Sequence, residues 1–172
     1  IAEYLASKSV QLDMCLVGEP SASTKTGDTI KIGRRGSLSG TIYITGKQGH
    51  VAYPKMAVNA IHKASTVINA LTQYPFDRGS DDFPGTTLQI THVDSGSFTD
   101  NIVPGSVRIE FNVRYSWHFD QCSLSTLLRN IINDVDAEAE VSFSRPCEAY
   151  LSKPKNNSGS CLIACVEKAI KG

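Results

Sequence analysis

Residues 38–45, LSGTIYIT, alternate apolar and polar side chains, and this alternation predicts a β-strand with one buried face. Gly46 interrupts the alternation. Beyond it, apolar side chains recur at helical spacing from Met56 to Leu71, and Pro54 suits the first turn of the predicted helix. A one-sided strand followed by an amphipathic helix predicts a sheet that is covered by helices on one face.

The segments that follow show the same strand and helix periodicities. Residues 86–93 predict a strand, and a second strand places 107, 109, 111 and 113 inward with charged or polar residues between them. Asp120 is suited to cap a helix over 124–135, and residues 139–143 predict a last strand. The order from residue 30 to 145 is therefore β-α-β-β-α-β. This order predicts an α+β, ferredoxin-like two-layer sandwich, with two helices on one face of an antiparallel sheet.

The flanks of this module read differently. Residues 14–17, MCLV, form an apolar run that predicts a strand buried on both faces, and residues 160–171 predict the start of a helix. Neither flank can bury its own apolar face, which predicts a module inserted into another domain. The chain also begins with Ile1 and shows no signal peptide, so we expect it to be part of something longer.

Composition restricts the class of function. Lys+Arg and Asp+Glu are 17 each, and a net charge of zero argues against a nucleic-acid partner or a polybasic membrane binder. No apolar run approaches the roughly 18–20 residues that span a bilayer. The five cysteines are odd in number and show no CxxC spacing, which favours buried thiols in a cytoplasmic protein over a disulfide framework or a zinc cluster.

Five polar side chains are candidates for a site. Glu19 follows the apolar run of residues 14–17, where a carboxylate could bind a metal or act as a base. His50 lies at a predicted strand-to-helix junction, where unused backbone N–H groups favour anions and a neutral histidine could donate to an oxyanion. The guanidinium of Arg34 could bind a carboxylate, Arg114 ends a predicted strand on its polar face, and Asn101 could support a ligand. Solvated loop residues, a turn at Asn101 and a cross-strand ion pair at Arg114 remain open as simpler interpretations.

Five motifs occur in an order typical of one family: CLVGEPS at 15–21, GRRGSL at 33–38, GKQGHVAYP at 46–54, NIVPG at 101–105 and FNVRYS at 111–116. Together they resemble the co-catalytic zinc aminoacylase and carboxypeptidase family of metallopeptidases. In that family a ferredoxin-like lid and dimerisation domain interrupts a zinc-binding catalytic domain. The resemblance implies that 30–147 is the lid, 1–29 a catalytic-domain fragment, and 148–172 the start of the returning catalytic segment.

The resemblance also implies roles for the candidate residues. Glu19 corresponds to a ligand of a two-zinc centre. His50 corresponds to the lid histidine that reaches the active site of the partner subunit in a homodimer and donates to the tetrahedral oxyanion. Asn101 would support that histidine or bind substrate, and Arg34 and Arg114 would hold the carboxylates of a small dicarboxylate amide.

Within the family, the motifs favour hydrolysis of N-succinyl-L,L-diaminopimelate to succinate and L,L-diaminopimelate, in bacterial lysine and cell-wall synthesis. Acetylornithine deacetylation and dipeptide cleavage remain open, as does a stand-alone dimerisation or ligand-binding module. The family's other zinc ligands and its glutamate base correspond to positions upstream of residue 1 or downstream of residue 172, outside this chain. We therefore expect the 172-residue chain to be inactive alone.

Overall fold

The alternating stretch at 38–45 lies inside a central strand in a computed structural model that describes residues 1–12, 14–96, 99–152 and 158–171. The helices are α1 (Ala2–Ser7), α2 (Ala60–Gln73), α3 (Gln121–Val135) and α4 (Ser158–Lys171), with a 3₁₀ turn at Pro54–Met56. The strands are β1 (Gly33–Arg34), β2 (Gly36–Thr45), β3 (Gly49–His50), β4 (Thr87–Asp94), β5 (Ile102–Val103), β6 (Ser106–Tyr115), β7 (Glu140–Cys147) and β8 (Tyr150–Leu151).

Four of these strands form one antiparallel sheet in the order β4-β6-β2-β7. The central pair, β2 and β6, runs in continuous register from Gly36 opposite Tyr115 to Thr45 opposite Ser106. With α2 between β2 and β4, and α3 between β6 and β7, this is the β-α-β-β-α-β order of a ferredoxin-like fold. The predicted fold class is confirmed.

The core lies between the helices and one face of this sheet. Alternate residues of β2 and β6 are buried, as a period-two pattern requires. The helices contribute Ala60, Ala64, Val67 and Leu71 from α2, and Leu124, Leu128 and Ile132 from α3. The other face of β2 and β6 carries polar or charged side chains, among them Arg108 and Glu110, whose charged groups lie 3.5 Å apart.

Two glycines of β2 make room for aromatic rings. Gly40 lies opposite Phe111, and a Cβ atom at Gly40 would overlap the Phe111 ring. Gly36 has the same relation to Tyr115, whose hydroxyl donates to the Cys147 carbonyl at 3.1 Å. Each ring thus packs over a position without a side chain, so these glycines serve packing as well as chain geometry.

Polar contacts hold the helices in place. As predicted, Asp120 caps α3: its carboxylate accepts from the Ser123 backbone N–H at 2.7 Å in a reciprocal capping box. On α2, the Lys63 ammonium donates to the carbonyl of Thr45 at 2.9 Å and lies 3.0 Å from the carboxylate of Asp136. Lys63 thus links α2 to the end of β2 through the Thr45 carbonyl, and to the residue that follows α3 through the ion pair with Asp136. The hydrogen bond to Asp136 raises the pKa of Lys63.

The chain divides into two compact units. One comprises residues 35–150 and contains the sheet with α2 and α3, and the other comprises 1–34 with 151–172. The predicted module boundaries were 30 and 147, and assignment of the flanks to a catalytic domain stays a prediction. In the described ranges, no helix has the length and apolar character needed to cross a membrane.

The strand predicted at residues 14–17 is wrong. These residues are not in a strand, and Leu16 and Val17 are exposed. A strand depends on ladder hydrogen bonds to a neighbour and on packing over its faces, and the described residues supply neither at this run. An apolar sequence alone therefore does not specify a strand.

The start of the first long helix is also later than predicted. Pro54 lies in the separate 3₁₀ turn, and Ala57 has extended backbone angles. The side chain of Asn59 accepts from the Ile61 N–H at 2.9 Å, so α2 begins at Ala60. Asn59 is the better N-cap because its amide oxygen satisfies a backbone donor that would otherwise be unpaired.

Candidate functional site

His50 and Asn101 are brought together by a pair of two-residue strands, β3 and β5. His50 in β3 lies opposite Ile102 in β5, and Gly49 lies opposite Val103. Next to this pair, the Val51 N–H donates to the Asn101 carbonyl at 3.0 Å. The turn at Asn101 therefore supports the His50 loop through its backbone, and two of the predicted site residues are neighbours in space.

Close backbone approach at the end of β2 positions this loop. The N–H of Gly46 donates to the carbonyl of Gly105 at 2.8 Å, and Lys47 exchanges backbone hydrogen bonds with Val58. A Cβ atom at Gly46 would overlap the Val58 carbonyl oxygen, and one at Gly105 would lie 3.0 Å from the Gln48 nitrogen. Glycine at both positions allows the chain to turn away from the sheet and carry His50 outward.

The His50 side chain is exposed, and its environment is local. The backbone N–H of Ala52 donates to its Nδ1 at 3.1 Å, and the Tyr53 ring lies 5.8 Å from the imidazole centre. The Tyr53 N–H donates to the His50 carbonyl at 2.9 Å. The N–H groups predicted to be unused here are therefore engaged, which corrects the expectation of an anion site formed by the backbone.

Exposed apolar side chains occur close together in the same part of the chain. Five are at least two-fifths exposed: Val51, Tyr53, Met56, Val58 and Ile61. Large exposed apolar groups are typical of interaction surfaces. We call this group the His50 patch.

Arg114 lies at the opposite end of the sheet from His50. In β6, Arg114 pairs with Ser37 of β2 and with Thr87 of β4, and it is exposed. The His50 loop leaves from the other end, where Thr45 lies opposite Ser106. Eight residues of strand separate Ser106 from Arg114, which is about 27 Å of extended chain. Within one chain, His50 and Arg114 therefore lie toward opposite ends of the β2–β6 pair.

Glu19 and Arg34 belong to the other compact unit. Both are exposed, and the Glu19 backbone donates to the Val17 carbonyl and accepts from the Ser21 N–H. The adjacent Arg35, whose role the sequence left open, donates to the Gly85 carbonyl at 2.9 Å and so holds the loop before β4.

Metal ligands are not grouped in this part of the protein. Among the described residues, no three histidine, cysteine, aspartate or glutamate side chains are placed to hold an ion. A zinc centre needs at least three protein ligands. Glu19 could supply one carboxylate, so the residues present do not by themselves fit a two-zinc site.

The structure also reveals a polar cluster that we did not predict. The carboxylate of Asp77 accepts from the hydroxyl of Ser116 at 3.0 Å and from the backbone N–H groups of Gly79 and Thr86. His118 Nδ1 lies 2.9 Å from the Ser116 hydroxyl. Burial favours the neutral acid, but these hydrogen bonds outweigh it and hold the pKa of Asp77 below its usual range. The Asp77-x-Gly79 motif indicates a turn, but no sequence signal indicates that Ser116 is a hydrogen-bond partner of Asp77.

Comparison with known proteins adds the family. Residues 32–140 match the peptidase dimerisation domain of the M20 family. The chain is similar to succinyl-diaminopimelate desuccinylase 1 of Alteromonas mediterranea, with 77% identity over 99% of this chain and 44% of the relative. It is 47% identical to succinyl-diaminopimelate desuccinylase 2 of Shewanella loihica, over 99% of this chain and 45% of that protein. The chain thus spans less than half the length of these relatives.

Solved structures share the fold at low identity. A tripeptidase from Staphylococcus aureus superposes with a TM-score of 0.64 at 21% identity, over 87% of this chain and 38% of that one. An M20 family metallo-carboxypeptidase from Sulfolobus solfataricus gives 0.65 at 12% identity, over 82% of this chain and 44% of that one. These similarities show the fold, which agrees with the β-α-β-β-α-β order above.

Proposed function

The chain belongs to the M20 peptidase dimerisation-domain family, and from this premise we propose that it is the lid-bearing part of a bacterial succinyl-diaminopimelate desuccinylase. The 77% identity to the Alteromonas mediterranea enzyme supports this substrate over those of sister deacylases and dipeptidases. The reaction is hydrolysis of an amide, which releases succinate and L,L-diaminopimelate. Cys15 and Cys122 are exposed, so the expectation of buried thiols is wrong for these two residues. We place the protein in the cytoplasm, where exposed thiols stay reduced.

The observation that carries the proposal is the separation of His50 from Arg114. Because about 27 Å of strand separates the two ends of the sheet, each active site takes its lid histidine from one subunit and its Arg114 from the other. The His50 patch supports this arrangement, since a partner subunit would cover its apolar side chains. The chain therefore acts as a homodimerisation domain that completes the site of its partner.

Each residue then has one task. His50 donates a hydrogen bond to the oxyanion of the tetrahedral intermediate, where charge develops as water adds to the amide carbon. Asn101 holds the His50 loop through its carbonyl. Arg34 and Arg114 bind substrate carboxylates, because a guanidinium matches a carboxylate with two parallel donors. These roles are distributed over a dimer and are not met within one chain.

The metal centre would be completed outside the described residues. Glu19 would contribute one carboxylate ligand, with the remaining ligands from the longer enzyme. Zinc, when bound, would lower the pKa of a water and polarise the amide carbonyl. The 172-residue chain alone should therefore show no hydrolysis of N-succinyl-L,L-diaminopimelate with zinc present, and measurable turnover would contradict this.

The test is His50→Ala in the full-length enzyme that contains this chain. We expect kcat to fall by about 10²–10³, the usual loss of one oxyanion donor, while zinc content by metal analysis stays unchanged. His62→Ala is the matched control, because His62 is also exposed but lies on α2. An unchanged kcat would refute the role of His50, and a loss of zinc would mean that His50 is instead a ligand.

Substrate choice is tested with the same enzyme. N-succinyl and N-acetyl substrates differ by one carboxylate, so Arg114→Ala should raise KM for the succinylated substrate by about tenfold or more and leave the acetylated one little changed. Equal effects on both substrates would favour a sister deacylase. Ser37→Ala, across the strand pair from Arg114, reports whether the sheet itself is disturbed.

A further inference from the structure

Among the described residues, the His50 ring makes one hydrogen bond, and that bond determines where its proton lies. The backbone N–H of Ala52 donates to Nδ1 at 3.1 Å. A backbone N–H can only donate, so Nδ1 must present its lone pair. A neutral imidazole carries a single N–H, and it must then be on Nε2.

We propose that the Ala52 N–H locks His50 in the Nε2–H tautomer, so that the neutral ring offers its one proton from Nε2. The tautomer is a property of this chain, and only its catalytic consequence, donation to an oxyanion, rests on the proposed function. The alternative tautomer would place Nδ1–H against the Ala52 N–H, which brings two donors together and loses the hydrogen bond.

The lock depends on how firmly Ala52 is held, and both neighbours are tied. The Val51 N–H donates to the carbonyl of Asn101 at 3.0 Å, and the Tyr53 N–H donates to the carbonyl of His50 at 2.9 Å. After them, the Met56 N–H donates to the Tyr53 carbonyl at 2.9 Å within the 3₁₀ turn. The N–H groups on both sides of Ala52 are therefore engaged, which leaves the Ala52 N–H little freedom to turn away from the ring.

The other ring nitrogen remains available. In the described part of the chain, Nε2 has no hydrogen-bond partner, and the side chain is exposed. A proton on Nε2 makes the ring a donor to an oxyanion, whereas a lone pair there would repel it. Ala52 is thus a positioning residue: it does not touch substrate, but its N–H selects the form of His50 that can donate.

The test is nuclear magnetic resonance of the ¹⁵N-labelled 172-residue chain, at a pH where the ring is neutral. We expect the His50 signals, assigned with His50→Gln, to show an unprotonated Nδ1 and a protonated Nε2. We also expect a scalar coupling across the hydrogen bond between Ala52 N and His50 Nδ1. A dominant Nδ1–H form, or no coupling between these two nitrogens, would overturn the proposal.

Two variants test whether Ala52 is the cause. Ala52→Pro removes the N–H and should raise the Nδ1–H population severalfold, while Ala52→Gly retains the N–H and should leave the tautomer unchanged. His62, His92 and His118 in the same spectra report whether the fold is intact. Unchanged His50 signals in a folded Ala52→Pro chain would overturn the proposal. If that variant does not fold, the coupling in the unsubstituted chain decides.

These outcomes separate the two proposals. The spectra contain no substrate, so a Nδ1–H result removes the tautomer lock and leaves the desuccinylase assignment to its own assay. Conversely, a full-length His50→Ala enzyme with unchanged kcat removes the oxyanion role and leaves the tautomer measurement valid.

Discussion

Hydrogen bonds to and from backbone groups decide what several single residues of this protein do. Asn101 supports the His50 loop with its carbonyl, and Ala52 acts on the imidazole with its N–H. Asp77 collects two backbone donors and the Ser116 hydroxyl. Residue type alone shows little of this, because every residue except proline carries the same backbone donor and acceptor.

At Asp77, ionisation and folding are linked. Hydrogen bonds lower its pKa in the folded state, so the charged form stabilises the fold above the pKa of an unfolded aspartate, near about 4. This stability is lost as pH falls through the lower folded pKa. Asp77→Asn should therefore cost about 1–3 kcal/mol in free energy of unfolding at pH 7, measured by urea titration.

The same titration at lower pH checks the sign. As pH falls through the lowered pKa of Asp77, the difference in free energy of unfolding between Asp77→Asn and the unsubstituted chain should shrink, because both then carry an uncharged side chain. Asp81→Asn is the control, since Asp81 is an exposed aspartate in the same loop. A constant difference from pH 7 to pH 2 would contradict the linkage.

At the level of elements, patterns and caps predicted the module well. The period-two strands and the α3 cap at Asp120 are confirmed, and α4 forms at Ser158–Lys171 near its predicted start. The errors fall where local signals conflict. Pro54 favoured an early helix start, but Asn59 caps α2 five residues later, because a side-chain acceptor satisfies a helix donor and a proline does not.

The core between the helices and the sheet gives a prediction about α3. Leu128 is fully buried there, whereas Leu16 is 69% exposed in the other unit. Leu128→Ala should destabilise the 172-residue chain by about 2–5 kcal/mol, through lost burial and the cavity left behind. Leu16→Ala, the same chemical change, should cost less than about 0.5 kcal/mol. Equal losses in chemical denaturation would mean that residues 14–17 are packed after all.

At the level of the whole molecule, the sheet separates two parts of one proposed site. His50 and Asn101 lie beyond one end of the β2–β6 pair, and Arg114 lies near the other. In a dimer with a two-fold axis, each of the two active sites would combine His50 of one subunit with Arg114 of the other. The dimerisation family and the His50 patch agree with this assembly.

Subunit mixing tests the shared site in the full-length enzyme. At substrate concentrations well below KM, the His50→Ala homodimer should be nearly inactive, and the Arg114→Ala homodimer should retain about one tenth of wild-type activity or less. In a heterodimer of the two variants, one active site is intact and the other carries both changes. Random exchange makes half of the dimers heterodimers, so mixing should restore about one quarter of wild-type activity.

The controls for this experiment are direct. Mixing Arg114→Ala with Arg34→Ala should restore nothing if both arginines serve the same subunit's site, since no combination then yields an intact one. Failure of the first pair to recover activity, with subunit exchange shown by mass spectrometry of labelled chains, would place His50 and Arg114 in one subunit's site.

The ferredoxin-like order and the family could be predicted from sequence, because side-chain period, caps and motifs lie in short stretches of chain, whereas the roles of the candidate residues stay predictions. The folded chain was needed for the rest. The β3–β5 pair beside His50 joins residues fifty positions apart, and the Asp77 cluster joins three separate segments. The distance between His50 and Arg114 depends on strand register. Such long-range pairings arise from packing and hydrogen bonding across the fold, and no local pattern specifies them.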